Sequence, residues 1–151
     1  MEGKFAKLTV FILRISLGSI FFYAGITKIL NHNWTSAGYL KGAKTFTGFY
    51  SWLTLPGNIG LVDFLNEWGL TLIGISLILG VFVRFSSVFG AFLMILYWFP
   101  ILKFPYVGDH SLIVDEHIIY LFVFILFAVV GAGRIWGLDK LLYRRKFSLL
   151  G

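Results

Sequence analysis

An apolar stretch in the last third of the chain limits what this protein can fold into. Between His117 and Arg134 the only ionisable side chain is that of Tyr120. Because a helix of about 17–25 apolar residues crosses a bilayer, this stretch predicts a membrane-spanning helix. The small residues Gly131 and Gly133 permit close backbone approach at its end. Polar groups at both ends of such a span favour a helix packed inside a bundle.

The composition points to a membrane as the solvent. Of 151 residues, 58% are hydrophobic and only 13% are charged, and the mean hydropathy is +0.86. A chain this apolar would leave too much hydrophobic surface in water if it folded as a soluble domain. The net charge of +6 does not predict nucleic-acid binding, because the basic residues flank apolar segments instead of forming one patch interleaved with aromatic residues.

The chain has no cysteine, which excludes disulfides, iron–sulfur clusters and thiol redox chemistry within the polypeptide. Any redox role must therefore use a borrowed cofactor or substrate. Of the three histidines only His117 lies in a predicted helix, so we expect neither a two-histidine haem site nor a di-iron site. We predict no metal and no haem.

The sequence predicts an all-α integral membrane protein, with a single domain over residues 1–151 that forms a bundle of four transmembrane helices. The first helix does not match a cleaved signal peptide, because Arg14 interrupts it and no small-residue cleavage site follows. The third helix is almost entirely apolar and is expected to serve mostly as a wall. The predicted helices cover residues of about 8–30, 59–83, 86–104 and 115–136.

The segment of about 34–55, between the first two helices, is too polar to span the membrane. Apolar side chains recur in it at helical spacing, opposite Lys41 and Lys44. This pattern predicts an amphipathic interfacial helix or a re-entrant cap, which the turn at Pro56-Gly57-Asn58 ends. The apolar side chains are Tyr39, Leu40, Ala43, Phe46 and Tyr50.

One face of the first helix carries two cations. At about 100° per residue, Arg14 and Lys28 share a side with the small residues Gly18 and Gly25 and with Phe21. At 1.5 Å per residue the two cations are roughly 21 Å apart, so each lies near one edge of the hydrocarbon core. Two interpretations stay open: the side chains extend to the two interfaces, or they face partners inside the bundle.

The distribution of charge predicts the orientation. With four spans, both termini and the turn at Arg84 share one side, with nine basic and two acidic side chains and a net charge of +7. The other side has four basic and five acidic side chains and a net charge of −1. The positive-inside rule then puts both termini in the cytoplasm of a multi-pass plasma-membrane protein. The first side carries Lys4, Lys7, Arg14, Arg84, Arg134, Lys140, Arg144, Arg145 and Lys146 against Glu2 and Asp139. The second carries Lys28, Lys41, Lys44 and Lys103 against Asp63, Glu67, Asp109, Asp115 and Glu116.

Ionisable side chains collect at the outer end of the predicted bundle. Lys28 ends the first helix, Glu67 lies in the first turns of the second, and His117 begins the fourth. Ionisable residues inside a membrane are costly and tend to face a polar cavity, so we predict these three as catalytic residues. They offer a cation for an anionic oxygen and two groups that exchange protons. The predicted cofactor-binding residues are the aromatic residues nearby, Trp34, Tyr97, Trp98 and Tyr120.

A structural interpretation of the same cluster is also open. Lys28 and Glu67 can form an ion pair that joins the first two helices, with His117 as a polar cap at the start of the fourth. In that case the cluster stabilises the bundle and has no catalytic role.

Several short motifs are shared with a known family. They are Leu13-Arg14, Gly18, Phe21, Ala24-Gly25-x-x-Lys28, Trp34, Ala37-Gly38-Tyr39-Leu40, Glu67-Trp68-Gly69, Gly80-x-x-x-Arg84, His117 and Gly131-Ala132-Gly133-Arg134-x-x-Gly137-Leu138-Asp139. With these motifs the chain resembles the DoxX/DoxD membrane proteins from about residue 8 to residue 141. DoxD proteins form the small membrane subunit of archaeal thiosulfate:quinone oxidoreductase. The resemblance implies the four-helix fold, a quinone and a second redox subunit.

Two functions are therefore expected from the sequence. The first is a DoxD-like subunit of a quinone-linked oxidoreductase, which passes electrons from a sulfur compound such as thiosulfate to a quinone. The second is a non-catalytic membrane scaffold or assembly factor of the DoxX family. A transporter is disfavoured, because four helices enclose no wide polar path and the third has no polar lining. The expected partners are the lipid membrane and a second redox subunit, and homo-oligomers are left open.

Overall fold

The computed structural model describes residues 3–108 and 110–142 of the chain. Five charged residues that contribute to the predicted orientation lie outside the described residues: Glu2, Asp109, Arg144, Arg145 and Lys146. Within those residues the named elements are all helices. They are α1 (Lys4–Leu30), α2 (Ala37–Lys41), α3 (Thr47–Leu53), α4 (Ile59–Leu79), α5 (Val83–Ile101), α6 (Glu116–Val130) and a 3₁₀ turn at Ala132–Arg134.

Three of the helices, α1, α4 and α5, are long and apolar enough to cross a membrane. The fourth apolar helix, α6, has 15 residues and is roughly 22 Å long at 1.5 Å per residue. The predicted helix end at 136 is wrong. The helix ends earlier because Gly131 adopts the left-handed conformation, with φ at +62°, as glycine often does at a helix C-terminus.

The turn between α4 and α5 lies a few residues before its predicted position. Gly80 at φ +67° ends α4, and α5 begins at Val83 instead of residue 86. Asp139 fixes the start of α5, since its carboxylate accepts hydrogen bonds from the backbone nitrogens of Phe82 at 2.7 Å and Val83 at 3.1 Å. A carboxylate at a helix N-terminus accepts hydrogen bonds from the free N–H groups and interacts favourably with the positive end of the helix dipole.

Close packing at glycine joins α1 to α4. A Cβ atom added at Gly74 would overlap the backbone of Phe22, and one at Gly18 would come within 2.9 Å of Leu77 Cβ. The face of α1 that carries Arg14 and Phe21 is buried, which agrees with the second of the two interpretations left open by the sequence. Small residues at the contact allow the two backbones to approach, as in membrane helix pairs.

The second close pair is α5 with α6. Gly90 of α5 lies against the ring of Phe124, which is fully buried together with Phe127. Phe124 also meets Phe21 of α1 edge to face, with ring centroids 5.1 Å apart. This aromatic contact links the α1–α4 pair to the α5–α6 pair in one core.

The segment predicted as one amphipathic element over 34–55 forms two short helices, α2 and α3. The helical pattern is interrupted between them, where Phe46 has a φ of +52°. Both helices are fastened to the end of α5 by tyrosines: Tyr39 Oη donates to the Tyr97 carbonyl oxygen, and Tyr50 Oη donates to that of Leu96 at 2.9 Å. Burial raises the pKa of Tyr39 to about 12, and burial also raises the pKa of Tyr50. These two phenols are therefore neutral donors at physiological pH.

Candidate functional site

A cavity of about 280 Å³ lies where α1 ends and α6 begins, below the loop that leads into α2. We call it the polar cavity. Its volume is near the lower end of the range of about 300–1,000 Å³ for ligand sites. It is lined by residues from α1, the following loop, α2, α4, α5 and α6, namely Lys28, Trp34, Thr35, Ser36, Tyr39, Asn66, Tyr97 and His117.

Lys28 lies in the last turn of α1 and supplies the positive charge of the polar cavity. Its Nζ donates to Asn66 Oδ1 at 2.8 Å. The same ammonium lies 4.6 Å from the centroid of the Trp34 ring and 6.0 Å from that of Tyr97, so two aromatic faces stabilise the charge. A lysine ammonium has three N–H groups, and only one of them is used by Asn66.

Asn66 passes the hydrogen-bond network on to α5. Its Nδ2 donates to the hydroxyl oxygen of Tyr97. Because that oxygen accepts from Asn66, the hydroxyl hydrogen of Tyr97 is directed elsewhere, and no acceptor for it is found within residues 3–108 and 110–142. The phenol of Tyr97 can therefore donate to a molecule in the polar cavity.

His117 is oriented by Asp115 at the start of α6. One oxygen of Asp115 caps the helix, accepting from His117 N at 3.1 Å and Ile118 N at 3.2 Å. The other lies 2.5 Å from His117 Nδ1. A carboxylate on Nδ1 holds the ring in one tautomer and makes Nε2 the nitrogen that accepts or donates a proton. The residue that caps α6 is Asp115, whereas the structural interpretation of the sequence gave that role to His117.

The loop over the polar cavity is fastened to α4 by Asp63. Its Oδ1 accepts from the backbone nitrogen of Ser36 at 2.9 Å and also from the Ser36 hydroxyl. Trp34 N donates to the Asn31 carbonyl oxygen at 2.8 Å in the same loop. These bonds hold the Trp34 ring beside Lys28.

Four of the seven predicted site residues line the polar cavity: Lys28, Trp34, Tyr97 and His117. Their catalytic and cofactor-binding roles stay predictions. The other three are Glu67, Trp98 and Tyr120, which do not line it.

The three remaining residues have other surroundings. Glu67 acts on Lys28 electrostatically, but no ion pair joins these two side chains, both of which lie in the described part of the chain. Trp98 Nε1 donates to the Ile113 carbonyl oxygen at 3.0 Å. Tyr120 meets Phe21 edge to face, with centroids 6.2 Å apart. The direct Lys28–Glu67 pair considered from the sequence is therefore replaced by the Lys28–Asn66 hydrogen bond.

Asn66 is the main site residue that sequence reasoning missed. It lies on the buried stripe of α4, which continues through Leu70, Ile73 and Leu77 at spacings of three and four residues. That periodicity was readable in the sequence and passes through Asn66, whereas Glu67 lies about 100° around the helix. Ser36 and Thr35 lie in an irregular loop, and no periodic signal indicated them.

The other cation of α1, Arg14, is fully buried at the opposite end of the bundle. Its Nη1 donates to the Ala132 carbonyl oxygen at 2.9 Å, and Nη2 is 3.5 Å from that of Trp136. Nε makes no hydrogen bond within the described part of the chain. Extension of this side chain to the interface, one of two interpretations of the sequence, is therefore wrong. The motif from Gly131 to Asp139 folds around the guanidinium.

The chemical groups of the polar cavity are hydrogen-bond donors and one imidazole between aromatic rings. Within residues 3–108 and 110–142 no group of three or more histidine, aspartate or glutamate side chains can hold a metal ion. The lysine, phenol and imidazole of the polar cavity can donate hydrogen bonds to the oxygen acceptors of a bound molecule.

Comparison with known proteins identifies the family. The DoxX family model matches residues 9–102, which include Lys28, Trp34, Asn66 and Tyr97 but not His117. The chain belongs to the DoxX family. No curated protein and no solved structure matches it. This DoxX protein is therefore a membrane protein whose site lies largely within the part shared with its family, completed by a histidine from α6.

Proposed function

We propose that this DoxX protein is the membrane subunit of a quinone-linked oxidoreductase and binds the quinone ring in the polar cavity. The observation that carries the proposal is that Lys28, Tyr97 and His117, from three different helices, line one cavity together with Trp34. A quinone ring needs an apolar slot with hydrogen-bond donors at its carbonyl oxygens, and these side chains supply both.

The side chains have distinct tasks in this proposal. Lys28 and the Tyr97 hydroxyl donate to one carbonyl oxygen and stabilise the negative charge that reduction brings there. His117 donates a proton from Nε2 to the other oxygen, while Asp115 holds Nδ1 and stabilises the charged ring. A bound quinone would accept two electrons and two protons, one proton from His117 at one oxygen and one from the Lys28 ammonium at the other. The electrons come from a sulfur compound, such as thiosulfate, that is oxidised on a second subunit.

The proposal includes an orientation in the plasma membrane. α6 with the residues that flank it serves as the fourth span, so both termini are cytoplasmic and the polar cavity faces outward. The net charges of +7 and −1 on the two sides support this orientation. A cysteine introduced in the loop at 31–36 should react with a membrane-impermeant thiol reagent in intact cells, and one introduced near residue 142 should not. The opposite labelling pattern would overturn the orientation.

The proposed function is tested by His117→Gln with His110→Gln as the matched control. His110 is exposed and does not line the polar cavity, so both variants make the same change at different places. Glutamine keeps a donor but cannot exchange a proton, so quinone reduction by the complex isolated from its own membranes should fall about 10²-fold. His110→Gln should reduce quinone at the normal rate, and quinone extracted from the purified protein should be present in both.

The scaffold function predicts a different result. His117→Gln would then lower the yield of assembled complex, with unchanged quinone reduction per assembled complex and no quinone in the extract. Rates must be normalised to assembled protein, because instability alone imitates a catalytic defect. Unchanged normalised reduction in His117→Gln would reject the polar cavity as the quinone site.

A further inference from the structure

A second cavity of about 220 Å³ adjoins the polar cavity on the side of α3. We call it the apolar chamber. Four residues line both spaces: Ser36, Tyr39, Asn66 and Tyr97. The remaining wall is hydrocarbon and aromatic and includes Leu40, Phe49, Tyr50, Leu53, Leu65 and Leu93. These four residues form a partition between the polar cavity and the apolar chamber.

The tyrosine hydroxyls in the wall do not make the apolar chamber a polar site. Tyr50 Oη donates to the Leu96 carbonyl oxygen, and Tyr39 Oη donates to that of Tyr97. With both donors bonded to backbone, the rings of Tyr39 and Tyr50 contribute apolar surface to the chamber. A molecule that fills this space therefore meets aromatic surface, and no free hydroxyl donor, at Tyr39 and Tyr50.

Burial differs between the two sides of the apolar chamber. At the inner side Leu40 is 8% and Tyr50 is 2% exposed, whereas Phe49 is 48% and Leu65 is 59% exposed at the outer side. The chamber is thus closed toward the core and open between α3 and α4. In a membrane protein, large apolar side chains exposed in this way contact lipid. The hydrocarbon chain of a molecule dissolved in the bilayer can enter the apolar chamber at this opening.

We propose that the apolar chamber holds the first part of the isoprenoid side chain of the quinone whose ring lies in the polar cavity. This inference rests on the proposed function and adds that the substrate is a tailed membrane quinone which enters between α3 and α4. The volume agrees with this occupant, since an apolar cavity of about 150 Å³ binds benzene and the chamber has about 220 Å³. An isoprene unit has one carbon fewer than benzene and fits.

The shared partition favours this occupant over an independent lipid chain. A substituent on a ring that contacts Tyr97 in the polar cavity begins next to the partition, and the apolar chamber is the hydrocarbon space that adjoins it there. A separate lipid whose chain entered at the opening would have its polar headgroup near Phe49 and Leu65. The lining there is apolar and does not suit a headgroup.

The experiment compares a benzoquinone without a side chain with the same benzoquinone carrying one isoprene unit. Both bind to the purified full-length protein in detergent, and quenching of Trp34 fluorescence reports occupancy, with Trp34→Phe as the signal control. The isoprene unit should tighten binding about tenfold or more by burying hydrocarbon in the chamber.

Leu65→Trp fills the opening, and Leu61→Trp is its matched control. Leu61 is on the same helix, is 63% exposed and lines neither space, so both variants add the same bulk to a lipid-facing position. Leu65→Trp should reduce the advantage of the isoprene unit to about twofold or less, whereas Leu61→Trp should keep it. Binding of the ring without a side chain should be unchanged in both.

The outcomes separate this inference from the proposed function. If both quinones bind equally well and Leu65→Trp changes nothing, the ring site stands and the apolar chamber is not the tail site. If neither quinone binds, the proposed function and this inference are both rejected. If a photoreactive group on the isoprene unit labels Leu53 or Leu93, the chamber is supported. Labelling confined to other surfaces would reject it.

Discussion

The two ends of the α1 face differ in what surrounds their cation. Arg14 and Lys28 lie on the same side of one helix, roughly 21 Å apart at 1.5 Å per residue. Arg14 is fully buried and bonded to backbone carbonyl oxygens, whereas Lys28 bonds a side-chain amide and borders a cavity of about 280 Å³. Charge and helix face therefore do not decide the role of an intramembrane cation. The neighbouring backbone decides it.

Glycines close the Arg14 end. A Cβ atom added at Gly80 would come within 2.6 Å of Gly137 Cα, and one added at Gly137 would come within 2.5 Å of Arg14 Nη1. The chain therefore wraps the guanidinium closely with backbone, and the Arg14 side chain is fully buried. At the Lys28 end Asp63 of α4 holds the loop into α2, and a cavity remains between this loop and the helices.

The largest expected effect is the loss of stability in Arg14→Met. Removing the guanidinium leaves the buried carbonyl oxygen of Ala132 and the part-buried one of Trp136 without this donor, and it removes a positive charge that interacts with Asp139. Breaking buried charge interactions of this kind costs about 3–5 kcal/mol. Thermal unfolding in detergent should show this loss as a lower midpoint and a lower folded yield.

Lys28→Met is the matched comparison, with the same replacement on the same face of α1. Lys28 has one hydrogen bond and is partly exposed, so its loss should reduce the free energy of unfolding by only about 1–2 kcal/mol. Quinone binding, in contrast, should be lost in Lys28→Met. Equal destabilisation by the two variants would mean that both cations are structural, and the difference between the two ends would have no functional meaning.

Helix faces were predictable from the sequence, and helix ends were less so. The inward face of α1 follows from the 3.6-residue period, because burial depends on the position around the axis. The ends of α4 and α6 depend on single residues, Gly80 and Gly131, that adopt left-handed conformations. Glycine permits that conformation without requiring it, so the sequence indicated several possible end points. Phe46 and Phe82 are left-handed without being glycine, and nothing local predicted this.

The sequence predicted the level in the membrane at which the site residues lie, but not the contacts between their side chains. Antiparallel helices bring the end of α1, the start of α4, the end of α5 and the start of α6 to one level, which correctly grouped Lys28, Tyr97 and His117. The partner of Lys28 depends on the rotation of α4, which close packing at Gly74 sets. Glu67 was predicted as the partner of Lys28 because it is charged, whereas the rotation of α4 turns Asn66 inward.

The smaller effect concerns the partner of Lys28 and is measured by two double-mutant cycles on the free energy of unfolding. One cycle combines Lys28→Met with Asn66→Ala, and the other combines it with Glu67→Ala. A hydrogen bond from a charged donor at 2.8 Å should give a coupling of about 1–2 kcal/mol for the Asn66 cycle. Glu67 interacts with Lys28 only through longer-range attraction, so its cycle should give about 0.5 kcal/mol or less.

Asn66→Ala also removes the bond to Tyr97, and the design of the cycle accounts for this. The loss of the Asn66–Tyr97 bond occurs in both the single and the double variant, so it cancels and the coupling reports the contact with Lys28. Tyr97→Phe paired with Lys28→Met provides a check, because Lys28 reaches Tyr97 only through Asn66 and the 6.0 Å ring contact, and its coupling should be smaller. A larger coupling for Glu67 than for Asn66 would restore the direct ion pair. The Lys28 end would then resemble the Arg14 end, as a paired charge whose role is to hold helices together.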